Sequence, residues 1–370
     1  MARGSVIKIN GKGGSTYAIR FYGANGKRQY KTIGPRKGDA ERALRQILGQ
    51  VDRGEYRPAP DITFEELTGK WLELKKAQVR PKALASYKAH IDRLGAAFGC
   101  QKVKNLSSEQ VEYFFAHLQS EGRAPATNGR ALTILKSILE KGCQWGYLAR
   151  NPARYIRKPQ VPKKEMAFLG PEEMKLLIAA TAEPHRPLIM TACYTGMRQS
   201  EVLGLEWGDI DWHSGKIYVR RVLQQGRFYE PKTQSSKRAV VVPPALIEAL
   251  RIHQLRQSVE LAQNPLDLVF PNGAGRPMAS RNLAQRIFDP ALRAACLRKV
   301  GFHALRHSYV SLLLSQGESI KFISRQVGHA SAKLTLDVYS HLLDGANEEA
   351  MARLQERLEP LESSHVHDVR

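Results

Sequence analysis

Acidic residues are scarce in this chain: 35 Asp and Glu stand against 57 Lys and Arg among 370 residues, a formal net charge of +22. That imbalance does not choose a fold. It favours a polyanionic partner, nucleic acid ahead of an acidic membrane surface, with plain solubility as the ordinary alternative. Cysteine is scarcer still. Cys100, Cys143, Cys193 and Cys296 lie far apart with no C-x-x-C pair, so neither a zinc site nor a disulfide framework is indicated, and a reducing cytoplasm fits. No apolar run approaches the roughly 18 residues of a membrane span, and the polar, glycine-rich stretch Met1 to Gly14 lacks the apolar centre of an export signal. Neither export nor membrane insertion is expected. Internal repeats and low-complexity tracts are also missing, and a chain of this length calls for several domains.

What is present changes character along the chain. Residues 1–58 alternate short β-like runs (Val6 to Ile9, Thr16 to Tyr22, Arg28 to Ile33) with glycine turns, followed by an amphipathic stretch through Ala43, Ile47 and Val51 for which Asp39 is the expected N-cap. This predicts a small three-stranded sheet with one helix. Its basic residues, Arg20, Lys27, Arg28 and Lys31 among them, could enter a DNA groove or simply face water. Residues 61–155 read as a four-helix bundle, with Thr63/Glu66 and Ser107/Gln110 as capping boxes. Residues 156–165, rich in Pro, Arg and Lys and containing Arg157 and Lys158, read as an exposed linker able to track a phosphate backbone. From 166 to 345 the pattern is mixed: a helix opened by Gly170, Pro171 and Glu172, another stopped at Gly196, strands over Lys216 to Leu223, Gly226 to Glu230 and Arg238 to Val242, and helices thereafter, one over Ser280 to Cys296. The fold class is multidomain α+β.

Four pieces of this last region hold polar groups where a packed core would not want them: Arg198, Lys232, the set His303, Arg306 and His307, and the pair His329 and Tyr339. Each has an ordinary explanation by itself. Arg198 could be paired with Glu201 and do nothing more. His303 and Arg306, at i and i+3, share a helix face with His307 and could be solvated charges on a capped helix. A metal-hydrolase reading is disfavoured, because the intervening residues Ala304, Leu305 and Arg306 hold no carboxylate base and an arginine is a poor neighbour for a cation. Tyr339 alone reads as core. Together the set supplies two guanidiniums for the non-bridging oxygens of a phosphate, imidazoles to hydrogen-bond it, a lysine as acid and a phenol as nucleophile, which completes a phosphoryl-transfer site without metal.

These residues sit in four boxes: TGMRQSE at 195–201, PKT at 231–233, HALRH at 303–307 and VGHASAKLTLDVYSH at 327–341. Their order and spacing resemble those of the tyrosine recombinase (phage integrase) family, in particular its three-domain integrases of prophages and mobile elements. The resemblance runs through the catalytic domain, and the preceding modules are similar to that family's arm-binding sheet and core-binding bundle. Val327, where the family often has Leu, is a small departure. The resemblance implies that Arg198 and Arg306 clamp a scissile phosphate, Lys232 on a hairpin turn protonates the leaving 5′ oxygen, His303 and His329 support the transition state, and Tyr339 attacks. Glu201 would orient Arg198. Lys237 and Arg238 lie close enough to Lys232 that a mobile hairpin could present either instead, but the PKT context favours Lys232.

Further implications are a site-specific recombinase with a 3′-phosphotyrosine intermediate and a Holliday junction, acting without cofactor, metal or ATP in the cytoplasm, nucleoid-associated when on DNA. Its partners would be double-stranded DNA attachment sites, three further copies of itself, a DNA-bending host protein and an excisionase. Residues 346–370, with Met351, Leu354 and Leu358 at helical spacing, could dock on a neighbouring protomer or pack in cis. The competing readings are a chromosome-dimer resolvase, a type IB topoisomerase-like enzyme, a non-catalytic DNA-binding regulator and a metal-dependent nuclease. Strand cleavage is expected to persist undiminished in excess EDTA; loss on chelation, restored by magnesium, would identify the nuclease instead.

Overall fold

The computed structural model describes residues 3–11, 14–23, 26–54, 61–162, 167–231 and 233–329, together with 351, 354, 355 and 358. Two compact units divide the chain, Met1–Lys163 and Lys164–Arg370, and the described elements make a multidomain α+β protein.

The first unit opens with an antiparallel meander of β1 (Gly4–Gly11), β2 (Gly14–Tyr22) and β3 (Arg28–Gly34). Side-chain alternation sends Ile19 and Phe21 into a small core with Ala40 and Ile47 of α1 (Lys37–Asp52). Asp39 does not cap that helix. Arg36 holds the N-cap position without a side-chain bond, and Asp39 falls in the first turn, where a carboxylate meets the helix dipole favourably and accepts from Arg42 at 2.6 Å. Register places Arg20 opposite Tyr30 and Tyr22 opposite Arg28, so these four share the face turned away from α1. Lys31, opposite Ile19, belongs to the α1 side and is exposed on the edge strand, and Lys27 is exposed in the turn before β3.

The bundle comprises α2 (Phe64–Lys76), α3 (Pro81–Phe98), α4 (Ser108–Ser120) and α5 (Pro125–Gln144). Both expected capping boxes form, Thr63 with Glu66 and Ser107 with Gln110. Trp71, Leu94, Val111, Leu132, Leu135 and Leu139 fill its core. Lys136 fastens the exit by donating to the carbonyls of Arg154 at 3.0 Å and Ile156 at 2.7 Å; Arg157 and Lys158, just beyond, are exposed.

The second unit begins with α6 (Pro171–Ala180), α7 (Arg186–Thr195) and the single turn α8 (Gln199–Val202). Strands β4 (Ile210–Asp211), β5 (Lys216–Val219) and β8 (Arg238–Val241) pair in that order, while β6 (Val222–Gln224) and β7 (Arg227–Tyr229) form a separate hairpin. The single strand expected over Lys216 to Leu223 is therefore broken. Arg220 and Arg221 both reach the buried Asp209, at 3.5 and 2.9 Å, which consecutive residues of a regular strand, pointing to opposite faces, could not do. Next come α9 (Pro244–Glu260) and α10 (Ser280–Asn282), which passes through a π-helical stretch, Leu283–Phe288, into α11 (Asp289–Ala294). The one continuous helix expected here is interrupted because Pro290 has no N–H for the carbonyl four residues back, and the widened turn absorbs that loss. Helices α12 (Ala304–Ser315) and α13 (Ile320–Val327) follow.

Leu169 donates its N–H to Ser308 Oγ at 2.6 Å, tying the start of the unit to α12. Among the described residues no helix is long and apolar enough to cross a membrane.

Gly196 ends α7 in the left-handed region at φ 58°, and a Cβ there would lie 2.5 Å from Tyr309 Cδ1 and 3.2 Å from Val327 Cγ1. Gly226 is also left-handed, at φ 73°, but has open space around it. Gly196→Ala is expected to cost about 3 kcal/mol, strain plus overlap, and Gly226→Ala only about 1 kcal/mol of strain. Denaturant unfolding of the two variants checks the difference.

Candidate active site

The polar residues of the second unit meet because four helices begin or end at one place. After Gly196 closes α7, Arg198 takes the N-cap position of α8. Glu201, 1% exposed, folds back within that turn: its Oε2 accepts the Arg198 backbone N–H at 2.8 Å and its Oε1 accepts Arg198 Nη1 at 2.7 Å. The carboxylate thus caps the helix and aims the guanidinium. Arg306, in the first turn of α12 and 3% exposed, donates through Nη1 to the Gly196 carbonyl at 2.9 Å. His303 precedes the same helix, its ring 4.8 Å from that of His307 in an edge-to-face arrangement. At the end of α13, Gly328 is left-handed (φ 67°, ψ 51°); its carbonyl accepts Arg198 Nη2 at 3.4 Å, and His329 follows.

A third arginine completes the frame. Arg238, at the start of β8 with its side chain 6% exposed, grips both oxygens of Glu201 at 3.2 and 2.9 Å and donates through Nε to the Gln326 carbonyl at 2.6 Å. Gln326 in turn accepts the Val241 N–H at 3.1 Å through its side chain, so α13 is bonded to β8 at two points.

The electrostatics follow from this crowding of cations. Burial alone would raise the pKa of Glu201, but the guanidiniums of Arg238 and Arg198 overcome it and hold the carboxyl below its usual range. Burial, then His307, Arg306 and Arg198, push His303 down to about 4; burial, then Arg306, Arg198 and Arg238, do the same to His329. His303 is the more exposed of the two. His307 is lowered by burial and Arg306. The arrangement is a pair of guanidiniums, Arg198 and Arg238, on one carboxylate, with a third, Arg306, on the neighbouring Gly196 carbonyl and imidazoles beside them, and it suits an anion with several oxygens.

Residues 167–345 match the model described as the phage integrase family. The second unit is a tyrosine recombinase domain of that family. A tyrosine recombinase XerC-like protein of Caldanaerobacter subterraneus subsp. tengcongensis is 27% identical over 365 residues, covering 90% of this chain and 93% of its own. The ICEBs1 integrase of Bacillus subtilis is 26% identical over 315 residues, covering 82% of this chain and 85% of its own. Among solved structures, the Tn1549 transposon integrase in complex with a circular intermediate DNA superposes with a TM-score of 0.69 at 19% identity, covering 79% of this chain and 99% of that one; that likeness shows the fold.

Of the residues singled out in the recombinase sequence, Arg198, Glu201, His303, Arg306 and His329 come together, while Lys232 and Tyr339 lie outside the described residues. The idea that Arg238 could replace Lys232 as the acid is corrected by its burial against Glu201, which leaves it no freedom to swing out. Lys237 is exposed and paired with Glu230 at 2.9 Å. Sequence reasoning did not foresee the framing roles of Arg238 and Gln326. The available signal was a lone arginine opening the apolar run Ala239 to Val242, but its partner is 37 residues away and nothing local names it.

Since the folded pKa of His329, about 4, lies below the ordinary 6.5, the unfolded chain takes up the proton first, and the stability this residue contributes above about pH 6.5 is lost as pH falls toward 4. NMR titration of the free protein should show His329 still neutral at pH 6; a midpoint near 6.5 would contradict its lowering by burial and the neighbouring arginines.

Proposed function

We propose that the recombinase integrates or excises a mobile element by cutting and rejoining DNA at the Arg198–Arg306 frame, with Tyr339 as nucleophile. The observation that carries this reading is the convergence of Arg198 and Arg306 with His303 and His329 around a position where positive charge exceeds negative. A phosphodiester supplies the missing anion. The two guanidiniums would hold its non-bridging oxygens and take up the charge that grows on them in the transition state. A phenol, with a pKa of about 10, is a weak nucleophile at neutral pH, so this neutralisation is most of its activation. The bond from the Tyr339 oxygen to phosphorus forms as the bond to the 5′ oxygen breaks, and Lys232 delivers the proton that the leaving oxygen needs. The resulting 3′-phosphotyrosine keeps the energy of the phosphodiester, so the 5′-hydroxyl of a partner strand can reverse the step without ATP. Two such exchanges in succession pass through a Holliday junction and require four protomers on double-stranded attachment sites.

The remaining assignments follow the same reading. Residues 1–58 would bind arm-type DNA through the Arg20, Tyr22, Arg28 and Tyr30 face together with Lys27 and the edge Lys31. Residues 61–155 would grip the core site, residues 156–165 would cross the backbone with Arg157 and Lys158, and residues 166–345 would carry the chemistry. The 346–370 segment, mostly outside the described residues, would join neighbouring protomers. A DNA-bending host protein and an excisionase would set direction, in the cytoplasm and on the nucleoid. The N-terminal sheet module favours this reading over a chromosome-dimer resolvase, and the ICEBs1 integrase is among the relatives. Tyr339→Phe should bind a nicked attachment-site substrate like the parent and yield no covalent adduct on a denaturing gel; an adduct with the variant would sink the assignment.

A further inference from the structure

We infer that Arg238 is a positioning residue for strand cleavage, setting where the Arg198 guanidinium stands while touching no DNA itself; the inference rests on the function proposed above. All three nitrogens of its guanidinium are engaged within the protein. Two hold the two oxygens of Glu201, Nη1 also donates to the Ser236 carbonyl at 3.3 Å, and Nε holds the Gln326 carbonyl. The planar fork of an arginine can meet both carboxylate oxygens at once and still present Nε to one side, a geometry that lysine cannot copy.

The consequence falls on Arg198. Its guanidinium bonds on one side to Glu201 Oε1 and on the other to the Gly328 carbonyl, and Arg238 fixes both of those acceptors. It fixes the first directly. It fixes the second by bonding the backbone two residues earlier and by packing against Gly328 so closely that a Cβ there would lie 3.0 Å from Arg238 Cδ and Nη1. The glycine serves its left-handed backbone and this close approach together. By occupying both Glu201 oxygens from the inner side, Arg238 also leaves only a monodentate bond from Glu201 Oε1 to the side chain of Arg198. Without it the buried carboxylate would be free to draw Arg198 into a two-point ion pair, away from the phosphate. Arg238 therefore acts through Arg198, and it links two boxes far apart in sequence, 195–201 and 327–341.

The test is single-turnover cleavage of a nicked attachment-site duplex by the full chain, with DNA affinity and thermal unfolding measured on each protein. Arg238→Gln should form the covalent adduct on the order of 100-fold more slowly, the usual effect of a misplacement near 1 Å, with affinity for the duplex little changed. Arg238→Lys, which keeps the charge and loses the fork, should fall between, and serves if the glutamine variant does not fold. In an Arg198→Lys background, where the fork to be positioned is already gone, Arg238→Gln should add little further loss; a merely destabilising change would add its full effect. Wild-type cleavage by a folded Arg238 variant, or full additivity in the double variant, overturns the inference. Absence of any adduct with the parent protein would instead overturn the functional reading beneath it.

Discussion

A carboxylate with 1% of its surface exposed, as in Glu201, stays ionised inside a protein only if the surroundings replace the water it has lost. Stripped of partners it would be penalised by several kcal/mol, and breaking such a buried set typically destabilises by about 3–5 kcal/mol. Here the replacement is nearly complete: both oxygens accept from Arg238, and Arg198 adds a side-chain and a backbone donor. The second unit therefore cannot close its core around α8 without also bringing β8 and the guanidinium of Arg198 into place. Folding and site assembly are one event at this residue.

That single anion also sets the charge of the site. One carboxylate against the guanidiniums of Arg198, Arg238 and Arg306 leaves an excess of positive charge that the free protein can relieve only at its titratable neighbours. Burial first, and then these guanidiniums, hold His303, His307 and His329 toward the neutral form. The frame is held by the protein's own hydrogen bonds, and rigid donors that need not reorganise stabilise developing charge better than mobile ones. Neutral imidazoles have a further use, since they can orient a phosphate oxygen without adding to the repulsion between the arginines.

Much of this was legible in the sequence where the determinant is local. The capping boxes at Thr63 and Ser107, the stop at Gly196, the start of α12 after His303 and the Gly328-His329 turn each depend on residues within four positions of one another. The four boxes named the family because their order is a property of the chain itself. What stayed hidden depends on contacts across the fold. The break between β5 and β6 follows from a buried Asp209 that only packing reveals, and the bidentate grip of Arg238 on Glu201 joins residues 37 positions apart. Asp39 shows the opposite error, a local signal read as a cap and displaced by three residues because the helix opens at Arg36 without a side-chain cap.

The frame has a further logic in where its donors land. A helix leaves its last four carbonyls without intrahelical partners, and these carry the negative end of its dipole. The Gly196 carbonyl at the end of α7 takes Arg306, and the Gln326 and Gly328 carbonyls at the end of α13 take Arg238 and Arg198. Each arginine thus satisfies a backbone group that burial would otherwise leave wanting while holding its remaining N–H groups in a defined direction. A lysine offers a compact charge without the planar fork and could serve one acceptor well but not two in fixed relation. Arginine at these positions is required by the helix ends themselves, which is why the frame is held in place by the protein's own backbone.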